Sequence, residues 1–591
     1  MTKSKDSPQI IFYFCSVIGS TSLFTGLFMM RLLLYKICQM LELNKKGDIM
    51  LAKLKNINKK TIFTDKFYGI SERHIEPFSI KSTENICSDK FPAICSRKSY
   101  FPLRQLKDAQ IFSGDELLYV KDNTLYATLR DIGKLSPGKK CIARFHKQYI
   151  IMPDKLIYDN DFDTLKPLEA SFSCTQINIG LADEFAQPIS PTHISAVAPI
   201  KSSNGDIWLD TSTRTLKRFV EYQGIWNTIE SIYTVLYADG IDEQFHEGDG
   251  ISIEGTALFD QSFIIENVGK GYITVLAKGL SIGAVTGDIR IKREVPLMHE
   301  MCAWQGRLWG INKEKCELYA SKLGNPLVFN AFSGLASDSY ALQLESTPLN
   351  LIAFEDELLV FFADKILRLT GNRPSNFRTT LLAQRGLKLG CEQSAVAYRG
   401  AVYFISDDGI YRYNSMFTRI SENSSLSGMA LGFMGKYYVF SKDGINSYDI
   451  SNAVWYKEAP YIADFACVSG SHCYFLSQNM LYSMASEDIY LHDFTIHEQD
   501  PIHWSIETHT FSLLLEKCHR VSRLGVNMKC EGSFKFEILQ NGTWLTIREG
   551  NIPRSLNISV NIALPHINET ALRISGEGKT TIHSITQDIL I

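Results

Sequence analysis

GAVYFISDDGIYRYN, from Gly400, and GKYYVFSKDGINSYD, from Gly435, share one format, and that format decides the fold. Each has a small residue, an apolar and aromatic run, a polar turn ending in Asp-Gly, and a second run that alternates apolar and polar side chains. Asp-Gly between two such runs signals a tight hairpin, because glycine reaches positive φ without a Cβ clash. Five more copies follow the template: DELLYVKDNTLYATL from Asp115, KQYIIMPDKLIYD from Lys147, GRLWGINKEKCELYASKL from Gly306, DELLVFFADKILRLTG from Asp356 and SHCYFLSQNMLYSMA from Ser471. The starts at Gly306, Asp356, Gly400, Gly435 and Ser471 lie 50, 44, 35 and 36 residues apart. That spacing brackets a four-stranded blade, and LNLIAFE, SAVAYR and MALGFM supply strands between the hairpins. The expectation is an all-β chain built on a β-propeller of about seven blades, whose sheets bury both faces against their neighbours.

The template disappears between Tyr158 and His299, a gap too long for a structureless loop inside a compact domain. Short alternating runs with glycine turns fill it, so the propeller is expected at 110–165 and 298–500 with a small β domain inserted at 166–297. Trp208 and Trp226 read as core aromatics of that insert. Short strands at regular spacing after His503 predict a C-terminal β-sandwich at 501–591. Residues 50–109 have sparse apolar positions and read as an extended arm with short strands. Its lysines can attract a polyanion or lie on a protein surface.

Composition is that of an ordinary globular protein: 45% hydrophobic, 21% charged, formal net charge -3 over 591 residues. There is no basic excess of the kind that marks a dedicated nucleic-acid binder, and no sequence-specific nucleic-acid partner is expected. Thirteen cysteines without a Cys-x-x-Cys pair read as reduced thiols. Ile10 to Met30 is uncharged for 21 residues, long enough to span a bilayer. Residues 46–50, KGDIM, can also be encoded by a purine-rich ribosome-binding sequence followed by a start codon. Residues 1–49 are therefore expected to be upstream DNA read in frame, with translation starting at Met50, or else a membrane anchor.

No constellation for chemistry emerges. There is no P-loop, dinucleotide fingerprint, His-Glu-x-x-His or Gly-x-Ser-x-Gly. Asp159, Asp161 and Asp163 alternate as in a calcium loop but lack the glycine and glutamate that such a loop requires. His492, His497, His503 and His509 are irregularly spaced and read as a polar linker. SDDGIYRY from Ser406 and SKDGINSY from Ser441 misplace the glycine of a sialidase-type box and lack its tryptophan. The expectation is no catalytic residue, no metal, no cofactor and no enzymatic activity. Interaction surfaces are expected on two polar propeller loops: Gly334, Ser337, Asp338, Ser339 and Tyr340, and Asn372, Arg373, Asn376 and Phe377.

WLDTS from Trp208, EGDGISIEG from Glu247, YASKLGNPLVFNAFSGLASDSYAL from Tyr319, LTGNRPSNF from Leu369, GINSYDISNAVW from Gly444 and the closing strands resemble a family of bacteriophage virion proteins common in prophages of gut bacteria. The likeness runs from Met50 to Ile591. In architecture the chain is also similar, more distantly, to the packaged-DNA stabilisation proteins of short-tailed phages. The resemblance implies a structural neck or tail protein, in a homo-oligomeric ring, with other virion proteins as partners. Its expected location is the virion, after assembly in the host cytoplasm. The alternatives are a receptor- or glycan-binding tail adhesin, using Trp208, Trp226 or Trp304 as an aromatic shelf, and a surface propeller anchored in a membrane through residues 10–30.

Overall fold

The computed structural model describes residues 59–71, 78–183, 185–229, 233–256, 259–277, 282–329, 338–421, 423, 425–484, 502–513, 520–563 and 568–590. Seven four-stranded antiparallel sheets form the propeller. Blade one runs from Gln110–Phe112 to Arg130–Lys134 and blade two from Cys141–Phe145 to Thr164–Pro167. Blades three to six follow over 300–343, 350–383, 396–421 and 428–459. Blade seven takes three strands from Phe465–Ser469, His472–Ser477 and Met480–Ser483, and its fourth, Phe101–Gln105, from ahead of blade one. Met480 pairs with Gln105 and Ser483 with Phe101, so both ends of the propeller are held in one sheet.

The second strand of a blade explains why the sequence repeats. Arg307–Asn312, Ala401–Ser406 and Lys436–Ser441 are buried at every residue, covered on both faces by the neighbouring blades. A strand in that position reads as a continuous apolar run, whereas an outer strand such as Met416–Ser421 stays largely exposed.

The hairpin glycines act differently from the sequence expectation. The Asp-Gly glycines are not turn residues. Ser406 pairs with Gly409 and Ser441 with Gly444, so the turns are Asp407-Asp408 and Lys442-Asp443. Gly409 and Gly444, at φ 141° and 120°, sit next to a bulge in the fourth strand. A Cβ there would lie 2.3 Å from the carbonyl oxygen of Ser421 or Ala459. The positive-φ turns are instead Arg399-Gly400 (47° and 69°) and Met434-Gly435 (44° and 82°), between the first and second strands. Both central residues have positive φ, the geometry that suits right-twisted hairpins.

The insert closes into a six-stranded barrel: Ala170–Ala182, Tyr233–Tyr237, Tyr272–Val275, Ser262–Gly269, Gly250–Glu254 and Gly283–Arg293, which pairs back to Ala170–Ala182. Ile177, Leu236, Phe263, Ile273 and Ile291 are among its core residues. A smaller sheet, His193–Ser195 to Ile225–Ile229, is carried on it and holds Trp208 and Trp226, whose ring centroids are 5.4 Å apart.

In the last unit the strand Leu572–Leu590 is central. One edge pairs with Arg520–Gln540, which pairs in turn with Thr543–Ala563. The other edge takes His503–Thr508, Ile94–Ser96 and Lys59–Thr64 in succession. Residues 59–96 thus supply strands to the C-terminal sheet. Its core includes Trp504, Phe536 and Ile574 and continues onto Val454 and Tyr456 of blade six. Among the described residues no helix is long and apolar enough to cross a membrane. The segment 1–49, with its apolar run, lies outside them.

Candidate functional site

The two expected interaction loops meet between blades three and four. The Tyr340 and Phe377 rings are 5.1 Å apart, and Phe377 lies 5.2 Å from Trp309. Edge-on aromatic contacts of this kind add to the apolar area already buried. Beneath them the guanidinium of Arg307, in a residue only 1% exposed, donates to Asp338 Oδ1 at 2.8 Å, to the Ser321 carbonyl at 3.0 Å and to the Asp338 carbonyl. A buried guanidinium needs such acceptors, because leaving it unpaired costs several kcal/mol, roughly 3 or more. Burial pushes the Tyr340 hydroxyl pKa up.

The other loop is built around one side chain. Asn376 Oδ1 accepts from the backbone N–H groups of Asn372 and Arg373, both at 2.9 Å, and Asn376 Nδ2 donates to Asn372 Oδ1 at 2.8 Å. Gly371, at φ 119°, lets the chain turn there; a Cβ would lie 2.6 Å from the Asn376 carbonyl oxygen. Asn372, Arg373 and Asn376 are exposed on a loop that is already ordered.

The expected residues therefore divide. Asn372, Arg373 and Asn376 are surface groups, while Tyr340 and Phe377 are half-buried and in contact. Ser339 is buried, at 5% exposed, whereas the Asp338 side chain is 37% exposed and its carboxylate is engaged by Arg307. Gly334 and Ser337 lie outside the described residues, as do His492 and His497. His503 faces Glu577 at 3.6 Å, while His509 Nε2 is 2.8 Å from the Ser71 carbonyl oxygen, so these two serve separate contacts. Asp159, Asp161 and Asp163 bind Gln148, Lys147 and Arg130 respectively rather than converging. Trp208 and Trp304 are buried, so neither lies on an exposed shelf.

Sequence reasoning missed a second polar centre, on blade six. Lys436 Nζ is 2.7 Å from Glu458 Oε1 and 2.8 Å from Asp89 Oδ1, and Ser447 Oγ donates to the same Glu458 oxygen at 2.7 Å. Burial works against the Lys436 ammonium, but Glu458, Tyr438, Cys87 and Asp89 outweigh it, and its pKa is raised. Nearby, Cys87 and Cys95 face each other across a strand pair with Sγ atoms 3.5 Å apart. Their hydrogen bond raises the Cys87 pKa and lowers that of Cys95. The lone lysine opening KYYVFS was the only trace of this centre in the sequence, since its partners lie in other strands.

No family model and no curated protein matches the sequence. Among solved structures, the chain is similar to an exo-β-1,3-galactanase from Phanerochaete chrysosporium, at 10% identity over 49% of this chain and 94% of that one, with a TM-score of 0.19. AztD from Citrobacter koseri matches at 11% identity over 61% and 86%, with a TM-score of 0.24. Hsv2 from Kluyveromyces lactis matches at 10% over 57% and 96%, with a TM-score of 0.23. The expectation that the chain is not an enzyme is corrected, because it rested on missing motifs alone. Motif spacing tests residues close together along one chain segment, whereas a propeller brings side chains together from separate blades. The missing motifs therefore do not exclude catalysis.

Proposed function

We propose that this chain is a structural component of a bacteriophage particle, at the neck or tail, where the propeller acts as a rigid scaffold gripped by other virion proteins. The observation that carries the reading is the closure of blade seven by Phe101–Gln105. With both ends of the propeller in one sheet, spreading the ring requires breaking a β ladder, a property suited to a part under mechanical load. The segments from Trp208, Glu247, Tyr319, Leu369 and Gly444 that resemble prophage virion proteins support the same reading.

In this arrangement the barrel and the C-terminal sheet, each with its own core, present separate surfaces to neighbours. Copies of the chain form a closed ring, for which head-to-tail contacts are the geometric requirement. The ordered loop bearing Asn372, Arg373 and Asn376 is one such contact, and head-to-tail joining or retention of packaged DNA is the role it serves. Assembly takes place in the host cytoplasm.

Particles purified from an induced lysogen of the source bacterium test the proposal. Mass spectrometry should find the chain in intact particles, and gold-labelled antibody should mark the neck or tail. Recovery of the chain only from host membranes or host soluble fractions overturns it.

A further inference from the structure

A cation-lined cleft separates blade six from the C-terminal sheet. It consists of two adjoining cavities of about 460 and 600 Å³ that share Asp89, Lys90, Arg97 and Lys98. Each volume is in the range that accommodates a small ligand. The smaller cavity is lined by five cations, Lys90, Arg97, Lys98, Lys529 and Lys579, against two acids, Asp89 and Glu531. This is a concentration of positive charge in a chain whose formal net charge is -3. One of the acids, Asp89, is already bound by Lys436.

Arg97 is the built part of the site. It is 7% exposed, and its guanidinium lies 4.2 Å from the centre of the Tyr100 ring. Its Nε donates to Asn85 Oδ1 and its Nη1 to the Lys98 carbonyl, both at 2.8 Å. Those contacts fix the plane of the group and leave Nη2 without an acceptor among the described residues, and Arg97 lines the cleft. Lys98, Lys529 and Lys579 are exposed and make no ion pair among the described residues. Hydroxyl groups of Ser99, Ser555 and Thr580 complete the wall.

A fixed guanidinium surrounded by lysines and hydroxyls offers planar donors and point charges together, the combination that suits phosphate oxygens. We propose that this cleft binds a compact ligand carrying two or more phosphate groups. The excess of cations over acids matches a small polyanion, and the cavity size favours a free polyphosphate over a nucleic-acid strand. The site is independent of the virion reading and stands or falls separately from it.

Titration calorimetry of the full chain with inorganic tripolyphosphate at low salt tests it. Binding is expected, weakening about tenfold when salt rises from about 50 to about 200 mM. The Lys98→Ala/Lys579→Ala variant alters only exposed side chains and should melt like the parent while losing about tenfold or more in affinity. Absence of binding at low salt, or equal affinity in the folded variant, overturns the proposal. An oligothymidylate of about ten nucleotides binding more tightly than tripolyphosphate overturns the compact ligand in favour of a phosphodiester strand.

Discussion

Lys436 and Glu458 form an ion pair at 2.7 Å inside blade six, with side chains only 8% and 4% exposed. Removing one member of such a pair leaves the other charged and buried, which typically costs about 3–5 kcal/mol. Asp89 remains near Lys436, so Glu458→Gln should cost about 3 kcal/mol, read as a lower midpoint of urea unfolding. The double variant Lys436→Met/Glu458→Met should recover most of that loss. A single variant as stable as the parent would show that the lysine has another route to solvation.

Stability should be flat between about pH 4 and about pH 8.5 and fall on both sides. Burial raises the pKa values of the Cys302, Cys467 and Cys473 thiols and of Tyr100, Tyr437 and Tyr438, and Lys436 is raised by the charges around it. Groups raised in the folded state stabilise it fully below their unfolded values, about 8.5 for the thiols and near 10 to about 10.4 for the tyrosines and lysine, and that contribution is lost as pH climbs toward the folded values. Asp449 moves the opposite way. Burial pushes it up, but hydrogen bonds from Ser88, Asn452 and the backbone of Ser451 and Asn452 outweigh burial and lower it. Its contribution is present above about pH 4 and lost as pH falls through the lowered folded value. Thermal melts across this range check both limbs; a melting temperature that still rises above pH about 10.4 would contradict the assignment.

The two kinds of hairpin glycine should respond differently to substitution. Gly409→Ala and Gly444→Ala place a Cβ against a strand carbonyl and should each cost more than about 1 kcal/mol. Gly400→Asn should be nearly neutral, since nothing lies within 4 Å of a Cβ there and asparagine tolerates the left-handed region. Comparable losses at all three positions would mean that the Asp-Gly glycines are turn residues after all.

Asn376→Ala should release the loop that Asn376 organises. The amides of Asn372 and Arg373 both donate to its side chain, so their hydrogen exchange should accelerate while Trp309 and its core stay protected. Unchanged exchange at those two amides would show that the loop is held by other contacts.

The propeller was legible because its central strands are buried on both faces, which stamps the same apolar run into LYVK, LWGIN, YFIS and YYVFS. Phe101–Gln105 carried no such stamp. FPLRQ contains a proline and an arginine, and its partner, Met480–Ser483, lies near the other end of the propeller. The strands at 59–96 were hidden for the same reason: their partners lie hundreds of residues away. Polar loops could be read from composition, but the contact of Asp338 with Arg307 depends on a buried cation two strands away in the same blade. The cleft was invisible, because Arg97, Lys529 and Lys579 become neighbours only once the first and last strands share a sheet.

A second such pairing, of Phe101–Gln105 with Met480–Ser483 in blade seven, underlies the rigid ring and the proposed scaffold, and a cross-link tests it directly. Gln105 and Met480 are opposed in blade seven, so the variant Gln105→Cys/Met480→Cys should form a disulfide within one chain under mild oxidation. Peptide mass spectrometry should recover the 105–480 link, and the oxidised protein should run as a single chain on a non-reducing denaturing gel and show a raised melting temperature. Absence of the link, or its appearance only between two chains, would contradict a propeller closed by its own N-terminal strand.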